Sequence, residues 1–156
     1  MHLKKKLIIY KNKFMSLKLS KDLLKELFDE YNEKYFYGKL GKCTFSFFSK
    51  NNLCLGKFSD REDKNSKTKD KIWVGTCVNW TEETLKLLLI HEMIHMYNIR
   101  VEKCKFNGLT GHGFYFKRQC RRLKRDFGID LKKLKNIGNI NRKPMLWEKI
   151  LYWFIG

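Results

Sequence analysis

The chain has 156 residues, enough for one domain with its own core and short for two. Apolar residues make up 43% and aromatic residues 15%, which excludes a disordered chain. Lysine and arginine number 34 against 16 aspartates and glutamates, a net charge of +18, so polyanions rather than other cations are the expected partners.

Residues 1–15 are basic, with a short apolar island from Leu7 to Tyr10. A secretory signal needs about 7–15 apolar residues and a small-residue cleavage site, and a membrane span about 20 apolar residues. Neither pattern is present. The expected location is the cytoplasm, at the nucleoid if DNA is a partner. One proline and the lack of a Ser/Gly-rich stretch leave no interdomain linker, and no repeat is visible.

Ser20 suits the N-cap of a first helix, with Asp22 near the positive end of its dipole. Leu24, Leu27, Phe28, Tyr31 and Tyr35 follow at helical spacing, a stripe expected in the core, and Gly38 ends it. Thr44 to Phe48, Leu53 to Phe58 and Ile72 to Val78 read as three strands, with Asn51-Asn52 at the place of a hairpin turn. Ser59 to Lys71 is almost wholly charged or polar and reads as a solvated loop. Ile72 to Val78 runs straight into the next helix and is a candidate edge for pairing with an extended substrate.

Leu85 to Asn98 reads as that next helix, and it carries His91-Glu92-Met93-Ile94-His95, an H-E-x-x-H pattern. Positions four apart lie on one helix face, so both imidazoles can reach one metal ion. Glu92 lies beside that ion without being forced to bind it. Two neutral imidazoles, an unligated carboxylate and an open coordination position are the parts of a metallohydrolase. The bland alternative is a pair of satisfied histidines in a buried helix. Leu85 and Leu87 to Ile90 make the approach apolar nearly all round, and polar groups in such a helix are costly unless something satisfies them.

A third ligand must come from downstream. His112, in Gly111-His112-Gly113, is the best placed, because glycines allow a tight turn back toward the helix. Glu102 is a weaker rival that would need a sharp fold at the helix end. Cys104 suits zinc chemically but makes a less hydrolytic site.

From Phe114 to Phe127, Phe116, Cys120, Leu123 and Phe127 form an apolar helix face. Lys117, Arg118, Arg121, Arg122, Lys124 and Arg125 take much of the remainder, either as a solvated face or as a phosphate-binding one. Asp130 to Asn141 continues with Leu131, Leu134 and Ile137 among lysines. Pro144 to Gly156 is a short apolar tail expected to pack back on the domain. Cys43, Cys54, Cys77, Cys104 and Cys120 include no C-x-x-C pair, which fits reduced thiols, mostly small core residues.

The H-E-x-x-H helix, followed by Gly111-His112-Gly113 with Phe114 and Phe116, resembles the SprT-like (Spartan-type) metalloproteases. Upstream, Phe28, Tyr31-Asn32, Tyr35-Phe36 and Gly38-Lys39-Leu40 resemble the first helix and turn of that family. The resemblance runs from Ser20 to Asp130. It implies an α+β fold, a small zincin-like domain with an N-terminal helix, a three-stranded sheet, a metal-binding helix and a basic C-terminal helix. It also implies one Zn2+ on His91, His95 and His112, Glu92 as general base, and cleavage of peptide bonds, often in DNA-bound proteins. Longer relatives carry a cysteine zinc ribbon that has no counterpart here. The whole chain is therefore expected to be one domain with its core at about 16–137, a monomer acting on a protein or peptide, with DNA as a further partner. Two rivals stand beside this: a nucleic-acid-binding module with a structural zinc, and a hydrolase of peptide-like small molecules. Tyr97 and Tyr115 are the nearest aromatic hydroxyls in sequence for an oxyanion.

Overall fold

The computed structural model describes residues 17–49, 54–60, 70–76, 78–104 and 111–134. Helix α1 spans Lys21–Phe36, and the Ser20 Oγ accepts the Leu23 N–H at 3.1 Å as its cap. The helix ends where Tyr37 and Gly38 turn left-handed, at φ 58° and 65°, and both their N–H groups reach the Asn32 carbonyl. Asn32 then uses its side chain to hold Leu40 by both backbone groups, at 3.0 and 3.1 Å. Leu24, Phe28, Tyr31 and Tyr35 are buried along the expected stripe, and Leu27 is half-buried beside them.

Three strands follow, β1 (Thr44–Phe48), β2 (Gly56–Ser59) and β3 (Lys71–Gly75). Their order is β1-β3-β2, with β1 parallel and β2 antiparallel to β3. This corrects two expectations. β1 and β2 are not hairpin neighbours, and β3 is the central strand rather than an edge. The reason is apolar content: Ile72 and Val74 are wholly buried, so β3 gains most from cover on both sides. The strand near the following helix that remains an edge is β2. Asn51-Asn52 lies outside the described residues. β3 also stops at Gly75, short of Val78, because the chain turns there: the Trp80 Nε1–H donates to the Gly75 carbonyl at 2.7 Å.

Helix α2 spans Glu82–Arg100 and α3 spans Phe114–Phe127. α2 lies at the centre, against α1, β2 and α3. Its Leu85, Leu88, Leu89, Ile90, Met93, Ile94 and Met96 form the middle of the hydrophobic core. Phe116 and Leu123 of α3 join that core, while Cys120 and Phe127 pack at its margin. Gly128, at φ 68°, ends α3, and residues 131–134 form one short 3-10 turn rather than a continued helix. The result is a small α+β fold. Among the described residues no helix is long and apolar enough to cross a membrane.

Two further expectations change. Asp70, in the stretch read as a solvated loop, is buried and bound by Arg100. The described cysteines are marginal rather than core: Cys54 is exposed, and Cys43, Cys104 and Cys120 are half-buried. Cys77, the basic segment 1–15 and the tail from Pro144 to Gly156 lie outside the described residues.

Candidate metal centre

The centre is built on α2. Thr81 caps the helix in a reciprocal box: its Oγ1 accepts the Thr84 N–H at 3.2 Å, and the Thr84 Oγ1 accepts the Thr81 N–H at 3.0 Å. The buried leucines of the next two turns then fix the rotation of the helix, which leaves His91 and His95 together on one face. Their Nε2 atoms are 3.3 Å apart.

His112 arrives from the loop after α2. The helix end closes with the Glu102 N–H on the Tyr97 carbonyl and the Cys104 N–H on the Asn98 carbonyl, and Lys103 turns left-handed at φ 54°. Residues 105–110 lie outside the description; at Gly111, φ 74°, the chain is back against His95. A Cβ on Gly111 would stand 3.4 Å from the His95 Cε1, so the loop approaches closely there. The His112 Nε2 lies 3.0 Å from that of His91.

The three imidazoles offer ligand atoms that all lie within 4.8 Å of one another. A tetrahedral ion with nitrogen ligands at about 2.0–2.1 Å sets them about 3.3 Å apart, close to the separations found. Among the described residues no fourth histidine, cysteine or carboxylate joins the group. Glu102 is engaged elsewhere, by the Arg118 guanidinium at 2.5 Å and the Gln119 amide at 3.2 Å, and Cys104 stands apart from the three. The donor set fits a metal ion with a position left open.

Electrostatics agree with this. Burial, followed by the charge of His112, pushes His95 down to about 3. Burial, then His95 and His112, holds His91 well below its ordinary value. Both rings are neutral at physiological pH, the form that ligates. Glu92, only 4% exposed, is pushed up to about 8 by burial, with the Phe58 backbone N–H opposing. A neighbouring cation would draw it back toward the ionised form.

A family model for the SprT-like family matches residues 24–136. The chain belongs to the SprT-like family. No curated protein matches it. With the histidine cluster, membership marks a metal-dependent, peptidase-like domain.

In this SprT-like chain Glu92, His91 and His112 open on a cleft of about 560 Å³, bordered by Leu55 and by Gly56 at the start of β2, and by α3 opposite. Neither Tyr97 nor Tyr115 lines it. Tyr97 packs on Phe36 and Tyr115 lies under the Arg118 guanidinium. The six cations of α3 divide into two stripes. Arg118, Arg122 and Arg125 face away from the cleft, held by Glu102, by Gln119 with the Tyr35 carbonyl, and by Asp126. Lys117, Arg121 and Lys124 line the cleft, and of these Lys124 is paired with Asp130 at 2.7 Å.

Sequence reasoning placed Phe116 in the core but missed its second task. Its ring lies 4.9, 4.8 and 4.5 Å from the rings of His91, His95 and His112, a buried platform under all three. Its position four residues after His112, at the start of an apolar helix face, was the available signal.

Proposed function

We propose that this SprT-like chain is a zinc-dependent metalloendopeptidase acting on DNA-associated proteins. One arrangement carries the reading: three imidazoles converge while an acidic side chain, Glu92, opens on the same cleft without joining them. Three imidazole donors suit zinc among the common divalent ions. When bound, zinc polarises a carbonyl and makes water acidic enough to lose a proton near neutral pH.

The protein's own groups do the remaining work. His91, His95 and His112 would hold the ion, their rings packed on the Phe116 ring. Glu92, shielded from bulk water, takes a proton on its carboxylate as water attacks the peptide carbonyl, and delivers it to the departing amine. β2 is an edge strand whose first residue, Gly56, borders the cleft with Leu55, so it, rather than β3, is the strand on which an extended peptide would pair. The charge of +18 supports DNA as the scaffold that brings protein substrates near.

The test is Glu92→Gln. The expected variant binds one zinc ion as the parent does and loses at least about a hundredfold in peptide hydrolysis. Parent-level cleavage would overturn the assignment. Cleavage of DNA-bound protein should be stimulated by DNA and fade with salt. Binding of DNA with intact metal and no cleavage of any protein would instead favour a nucleic-acid-binding module with a structural zinc.

A further inference from the structure

The two walls of the cleft differ in charge. Its acidic residues are Glu92 at the metal centre and Asp130. Asp130 is already neutralised, by the Lys124 ammonium at 2.7 Å and the Lys132 backbone N–H at 3.1 Å. Among the described residues, no acidic side chain on the wall away from the metal is therefore left to receive a basic residue. Lys117 and Arg121, by contrast, are exposed on α3 and carry no ion pair among the described residues.

Their spacing has a chemical meaning. They stand four residues apart on a helix, about 6 Å of rise. An extended peptide repeats its side-chain direction every second residue, at about 6.6–6.8 Å. A strand running parallel to α3 would present alternate side chains to Lys117 and Arg121 in turn. Leu88 and Phe116 add apolar lining to the same cleft.

We infer that Lys117 and Arg121 are specificity-determining residues that select an acidic peptide segment, with carboxylates two residues apart on one side of the scissile bond. The inference rests on the peptidase reading for cleavage, but not for binding. A lysine-rich segment, such as one that itself neutralises DNA, is disfavoured at this wall. The bulk positive charge and the cleft then do separate things: the first attracts polyanions, the second chooses which stretch of a protein is cut.

The experiment uses two quenched fluorescent peptides, identical except for Glu or Lys at two alternate positions. Hydrolysis is followed with the zinc-loaded full chain, and binding is followed by anisotropy with Glu92→Gln. The parent should favour the Glu peptide at least about tenfold, through KM and affinity rather than kcat. Lys117→Glu with Arg121→Glu should reverse the order, and Lys117→Gln with Arg121→Gln should abolish the preference. Both positions are exposed, and circular dichroism should show that the variants fold. An unchanged preference in either variant overturns the inference. So does loss of affinity for a labelled single-stranded oligonucleotide with peptide preference intact, which would make the wall a nucleic-acid surface. If the binding order reverses but neither peptide is cut, the wall stands and the peptidase reading falls.

Discussion

Arg100, the last residue of α2, grips Asp70, the residue just before β3, with a forked guanidinium. Its Nε lies 3.0 Å from both carboxylate oxygens, and its second nitrogen 2.5 Å from Oδ1. The pair joins the end of the metal helix to the central strand across 30 residues of sequence. Asp70→Asn should destabilise the fold by about 1–2 kcal/mol, discounted because Arg100 is partly exposed. That is a fall of a few degrees in Tm, measurable by thermal unfolding. Zinc affinity should change much less, since the imidazoles lie in the preceding turns.

Gly111 makes the opposite prediction. Its φ of 74° is costly for a side-chain-bearing residue, and its Cβ position is 3.4 Å from His95. Gly111→Ala should displace His112 relative to the helical pair and weaken zinc binding about tenfold in a chelator competition. The core packing is untouched, so the Tm of the metal-free protein should fall by little. Unchanged affinity would show that the loop does not need this approach.

The thiols give the pH dependence. Burial pushes Cys43 up to about 12 and Cys120 up to about 11. In the unfolded chain both ionise near 9.0. Above that pH the unfolded state loses protons that the folded state keeps, so their contribution to stability is full below about 9 and is lost as pH rises toward 11–12. The urea midpoint should fall across that window. At pH 8, iodoacetamide followed by mass spectrometry should label both residues slowly in the native protein and readily after denaturation.

Local features were legible because local physics decides them. Ser20 and the left-handed stop near Gly38 bracket α1, and the H-E-x-x-H spacing alone puts two imidazoles on one face. The convergence of His112 was legible through Gly111, whose freedom the turn requires. Strand order was not, because pairing is non-local: nothing within Thr44 to Phe48 says that Ile72 and Val74 will lie beside it. Asp70 was indistinguishable from its charged neighbours, since its partner lies at the far end of another element. The basic face of α3 showed its charge but not its division, which depends on where Glu102, Asp126 and Asp130 fall.

The central claim is a three-imidazole centre with an open position. X-ray absorption at the zinc edge on the zinc-loaded full chain, with metal stoichiometry measured on the same sample, addresses it directly. The account predicts one ion with three imidazole nitrogens at about 2.0–2.1 Å, one further light-atom ligand exchangeable by solvent anions, and no sulfur. A sulfur scatterer at about 2.3 Å, or a fourth protein ligand that added anions cannot displace, would contradict it.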